Sequence, residues 1–74
     1  MYFIKNIIFL ANKQNISQNG LAKKINLPTS TIKSIFQGKT KNPTLEVAYK
    51  LSVFFNMNIN YLIENDLELE DKNN

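Results

Sequence analysis

The chain has 74 residues, 43% of them hydrophobic, a formal net charge of +3, and neither cysteine nor histidine. That length bounds a single domain with a modest core, and the composition excludes disulfides, thiolate or imidazole chemistry and the usual zinc sites. No apolar run approaches the roughly 20 residues that span a bilayer, Ile7 to Ala11 is followed by no small-residue cleavage signal, and the few carboxylates form no catalytic constellation, so neither a membrane segment, a signal peptide, an enzyme nor a cofactor or metal site is expected.

In chain order, Met1 to Asn15 reads as a first helix with Ile4, Ile7, Leu10 and Ala11 on its core face. Tyr2, Phe3, Ile8 and Phe9 make it apolar nearly all round, which calls for a second contact. Either Phe3 and Phe9 meet a dimer mate or a protein partner, or the N-terminus curls so that they complete a thin core. Ile16 can staple the start of the next helix, whose first N–H groups Ser17 can cap. Leu21, Ala22 and Ile25 share one face of that second helix. Gly20 costs it about 1 kcal/mol relative to alanine, and either admits a close neighbour, a phosphate or the first helix, or reflects drift. Asn26 accepts the left-handed conformation that ends a helix, and Pro28 suits the first position of the next, so the turn is about three residues long. In the third helix Ile32, Ile35 and Phe36 point inward and leave Thr29, Ser30, Lys33, Ser34 and Gln37 on the opposite, polar face.

Gly38 ends that helix, and Lys39-Thr40-Lys41-Asn42-Pro43 forms a basic loop. Thr44 caps a fourth helix of about a dozen residues in which Leu45, Val47, Ala48, Leu51, Phe54 and Phe55 are expected in the core. Asn56 and Met57 break the pattern, and Asn58 caps a fifth helix carrying Ile59, Leu62 and Ile63. Tyr61 there either contributes to a dimer or closes the core. Leu67-Glu-Leu-Glu alternates apolar and acidic residues, and the final Asp71-Lys-Asn-Asn reads as disordered. Charge divides accordingly. Residues 1 to 63 hold eight lysines against Glu46 alone, +7, whereas residues 64 to 74 hold five carboxylates against Lys72, −4. The basic body suits a polyanion, or only keeps the protein soluble. The acidic end could fold back on the basic face, bind a partner or solubilise.

Ser17-Gln18, Leu21-Ala22, Ser30-Thr31-Ile32, Ile35, Gly38-Lys39-Thr40, Asn42-Pro43-Thr44-Leu45-Glu46, Ala48, Leu51-Ser52 and Tyr61-Leu62-Ile63 together resemble the helix-turn-helix family of phage Cro and repressor proteins, the Xre family, from about Ile4 to Ile63. The resemblance implies an all-α, five-helix bundle of the lambda repressor-like type over residues 1–64, followed by a short, flexible acidic tail over 65–74. It implies a cytoplasmic transcriptional regulator, bacterial or phage-encoded and most simply a repressor, with double-stranded DNA as its partner. Residues 29 to 37 would enter the major groove, where base edges present a sequence-distinct pattern. Thr29, Ser30, Lys33 and Ser34 would read bases, and Gln18, Gln37, Lys39, Lys41 and Asn42 would hold phosphates and set the register. A chain this small would neutralise few phosphates, so a homodimer on half-sites roughly 34 Å apart is expected, with Phe3, Phe9 and Tyr61 as candidate contacts. The absence of arginine, whose bidentate guanine contact is the commonest, favours an A·T-rich site. The alternative is a protein-interaction module on the same fold, such as an antitoxin or regulatory subunit docking a partner through the first helix. One departure concerns an arginine and glutamate pair that many relatives place where this chain has Ala11 and Phe36. Exchanging both charges for apolar groups avoids stranding a buried ion.

Overall fold

Six helices make up the computed structural model, which describes residues 1–73: α1 (Phe3–Lys13), α2 (Gln18–Lys24), α3 (Thr29–Phe36), α4 (Leu45–Phe54), α5 (Ile59–Glu64) and α6 (Leu67–Lys72). The all-α expectation stands, but the described residues form six helices rather than five.

The corners reuse one device. Asn15, Asn26 and Asn56 take φ values of 60°, 56° and 54°, and Gly38 takes 77°. Asparagine and glycine enter this left-handed region at least cost. Behind each, the next N–H reaches back across the turn: Ile16 to Ala11, Leu27 to Ala22, Met57 to Ser52 and Lys39 to Ser34, at 2.9 to 3.0 Å. These bonds satisfy carbonyls that a helix end otherwise leaves open. In three corners the chain then runs left-handed asparagine, apolar residue, cap: Asn15-Ile16-Ser17, Asn26-Leu27-Pro28 and Asn56-Met57-Asn58. The apolar member packs against the core each time. Ser17 accepts from the Gly20 N–H at 3.0 Å, Thr44 from Val47 at 3.3 Å, and Asn58 from Asn60 and Tyr61 at 2.8 and 3.2 Å. A side chain at Gly20 would bring its Cβ to 2.9 Å from the Ser17 hydroxyl. What Gly20 approaches is therefore the cap, not α1. Pro28 is the residue before α3 rather than its first, and it has no side-chain acceptor to offer.

The core joins all six helices through Phe3, Ile7, Leu21, Ile32, Ile35, Leu51, Leu62 and Leu67 among others. Ala11 is fully buried and Phe36 half-buried on helices that touch. One alternative is decided and one expectation changes. Phe3 is 2% exposed, so it is a core residue with no surface left for a partner. Leu45 is 81% exposed, because it lies on the side of α4 turned away from the buried Val47, Ala48 and Leu51.

The C-terminal segment is the larger correction. Residues 66 to 72 are not a loose tail but a helix whose cap, Asp66, accepts from the Leu69 N–H at 3.2 Å. Six residues cannot hold a helix by propensity. Tertiary contacts do. Leu67 is buried, and α6 lies along α1. Asn6, fully buried in α1, donates from Nδ2 to the carbonyls of Leu62 and Asn65, both at 2.7 Å, and accepts the Leu67 N–H on Oδ1 at 3.0 Å. One amide thus joins the first helix to the end of the fifth and the start of the sixth. Outside it, the Lys5 ammonium donates to Asp66 at 2.6 Å with Glu68 at 3.7 Å, Lys13 pairs with Asp71, and the Tyr61 hydroxyl donates to Glu70 at 2.6 Å. The apolar girdle of α1 finds its second contact here, within the same chain. The expectation of disorder at Asn74 lies outside the described residues.

These pairs give α6 a pH signature. The hydrogen bond from Lys5 holds the Asp66 carboxyl below the usual carboxylate range, and the same bond raises the Lys5 ammonium above the ordinary lysine value. The bond to Glu70 raises the Tyr61 hydroxyl. The lowered carboxyl contributes stability above its unfolded value and loses it as pH falls through the folded one, while the raised groups lose theirs as pH rises through their folded values. The protection factors of the Leu67 to Lys72 amides, their exchange rates relative to the unfolded chain at the same pH, should therefore be highest between the two limits and fall in acid before that of Leu21 does. Protection that falls in both segments together at every pH would contradict this.

Candidate nucleic-acid interface

Helices α2 and α3 make the most extensive contact of any helix pair, so Ile32 and Ile35, both fully buried, fix which side of α3 faces out. Ser30, Lys33 and Gln37 are exposed on that side, and Thr29 and Ser34 are half-buried at its margin. Gln18, half-buried, opens α2 just after the Ser17 cap. Lys39, Lys41 and Asn42 are exposed in the loop that follows.

The loop is tied to the helix it leaves. The Ser34 carbonyl accepts both the Lys39 and the Thr40 N–H groups, at 3.0 and 3.3 Å, and the hydroxyls of Ser34 and Thr40 share a hydrogen bond of 2.7 Å. Ser34 therefore anchors the basic loop beside α3, a geometry that residue types alone did not disclose. Its hydroxyl is already engaged, whereas those of Thr29 and Ser30 make no side-chain hydrogen bond among the described residues. A shallow depression between α3 and the loop is walled by Ser30, Ser34, Thr40 and Asn42.

Electrostatics separate two surfaces. Lys5 and Lys13 are matched by the carboxylates of α6, and Lys50 by Glu46 at 3.8 Å. Lys23, Lys24, Lys33, Lys39 and Lys41 have no carboxylate partner among the described residues. The acidic helix is therefore directed at α1 and leaves α3 and its loop uncovered. Of the three candidate interface aromatics, Phe3 is in the core, Phe9 is half-buried beneath the Lys13 ammonium, 5.6 Å from its ring centre, and Tyr61 is bonded to Glu70. No helix among the described residues is long and apolar enough to cross a membrane.

A family model described as helix-turn-helix matches residues 8–62, which takes in α2, α3, the basic loop and α4. No curated protein and no solved structure matches the chain.

Proposed function

Because the chain belongs to the helix-turn-helix family, of the Xre type that its motifs resemble, we propose that it is a sequence-specific DNA-binding transcriptional regulator, a repressor acting by occupancy, and that it binds as a dimer. The observation that carries this reading is the uncovered polar side of α3 with unpaired lysines bound to it through Ser34. An α-helix fits the major groove, where hydroxyl and ammonium groups can meet base edges. Thr29, Ser30 and Lys33 read bases in this proposal, with Ser34 contributing at the edge while it holds the loop. Gln18, Gln37, Lys39, Lys41 and Asn42 engage phosphates on either side and so fix the register. With no arginine in the chain, an A·T-rich site is expected.

Selection of bound sites from random duplex DNA tests the proposal, followed by titration of the enriched duplex at increasing salt. Enrichment of one A·T-rich sequence, with affinity falling steeply as salt rises because phosphate contacts release counterions, is the expected result. Unenriched pools and salt-insensitive binding would refute it.

A further inference from the structure

Three large apolar side chains project from one side of α4. Leu45, Tyr49 and Val53 are 81%, 63% and 58% exposed, and they recur at every fourth residue, forming a single ridge. No other helix carries three, and none of these residues belongs to the proposed DNA surface. Beside the ridge runs a groove between α4 and the end of α2, floored by Ile25 and Phe54 and edged by Lys24 and Lys50. A family of apolar side chains held in water along one helix calls for a cover, and the rest of the described chain supplies none.

The pattern identifies the cover. Leu45, Tyr49 and Val53 read the same in either direction about Tyr49: aliphatic, aromatic, aliphatic. Ridges of this spacing pack into the matching grooves of an identical helix at about −50°, the commonest helix crossing. With a two-fold axis beside Tyr49, Leu45 of one copy meets Val53 of the other and the two tyrosine rings face each other. Charge agrees with the same axis. Glu46 and Lys50 lie on one flank of the ridge, and at a rise of 1.5 Å per residue antiparallel pairing sets Glu46 about 3 Å along the axis from Lys50 of the other copy. Within one chain these two groups stand 3.8 Å apart, with Lys50 half-buried and also reaching the Asn26 carbonyl at 3.5 Å, so the exposed Glu46 is the member free to turn to a second copy. A surface that complements itself in shape and in charge is what a two-fold contact requires.

We propose that α4 is the dimer interface, and that its occupant is α4 of a second copy, packed antiparallel about Tyr49. The proposal rests on the DNA-binding reading only for its purpose, which is to present two α3 surfaces to paired half-sites. A contact of one helix pair is small beside the roughly 1,200 Å² or more of stable complexes. The dimer is accordingly concentration-dependent, and binding to two adjacent half-sites strengthens it by mass action.

The chain has no cysteine, which makes the test direct. In the full chain, Tyr49→Cys places one thiol per copy beside the axis, where facing helices bring Cα atoms within disulfide reach. Mild oxidation should yield a covalent dimer at least about tenfold faster than for a Lys72→Cys control. Tyr49→Lys, at an exposed position that leaves the helical melt unchanged, should raise the dimer dissociation constant by about tenfold or more in sedimentation equilibrium, through two ammonium groups brought face to face at the axis. The same variant should bind a single half-site as the unaltered chain does and lose cooperative binding to two. Cross-linking no faster than the control, a chain that sediments as a monomer at every concentration, or a dimer indifferent to Tyr49→Lys would each overturn the proposal. Failure of all duplexes to bind, with the cross-link intact, would instead remove the DNA-binding reading and leave the interface standing.

Discussion

Replacing Asn6 by leucine should lower stability by about 3 kcal/mol or more, the largest effect of any single polar substitution in the chain. Leucine shares the branched shape of asparagine and has greater helix propensity, while its larger methyl groups add an overpacking cost of about 1 to 3 kcal/mol. The greater part of the loss comes from what Asn6 satisfies. Without its amide, the carbonyls of Leu62 and Asn65 and the N–H of Leu67 are left in a buried site, and each unsatisfied group costs about 1 to 3 kcal/mol. In a domain of this size that corresponds to a melting temperature lower by roughly 12 °C or more. Thermal unfolding followed by circular dichroism measures it, and amide exchange locates it: protection in α6 should collapse first. A melting temperature within about 3 °C of the unaltered protein would show that the α1 to α6 junction is held by apolar contact alone.

The second large effect concerns the loop. Changing Lys39 and Lys41 together to glutamine should reduce the salt slope of DNA binding by about two, since each phosphate contact contributes roughly 0.9 to it. Affinity should fall alike for cognate and unrelated duplexes. Lys33→Gln should behave differently, costing about 1 to 3 kcal/mol at the cognate site and relaxing the preference at one base position. Ser34→Ala removes the hydroxyl bond to Thr40 and should weaken phosphate contacts made by a loop it does not itself belong to. Equal loss of sequence preference in the loop and α3 variants would contradict the division of labour.

Much of this architecture was legible in the residues because short-range chemistry dictates it. Ser17, Thr44 and Asn58 cap as their side chains allow, and Asn26 and Gly38 sit where a left-handed residue must. The outward side of α3 followed from the spacing of Ile32 and Ile35. What escaped depends on distant partners. Alternation in Leu67-Glu-Leu-Glu hid a helix, because one turn buries only Leu67 and leaves Leu69 outside. The signals present were Asp66 as a cap and the acidic first turn ahead of Lys72. Asn6 was passed over among apolar neighbours, although its place three residues after Phe3 and next to Ile7 put an amide on the buried face. Leu45 looked like core by type. Its place on the helix, in line with exposed Tyr49 and Val53 rather than with buried Val47, Ala48 and Leu51, decided otherwise. The Ser34 anchor required the path of the loop, which no spacing rule supplies.

The separation of an α6-covered, charge-matched α1 from an open α3 surface is the physical basis of the proposed function. Backbone amide chemical shifts recorded while a selected duplex is added at low salt test it most directly. The account predicts changes concentrated at Gln18, Thr29 to Gln37 and Lys39 to Asn42, with α6 and the exposed side of α1 undisturbed. Changes centred on α1 and α6, or none at any duplex concentration, would contradict it.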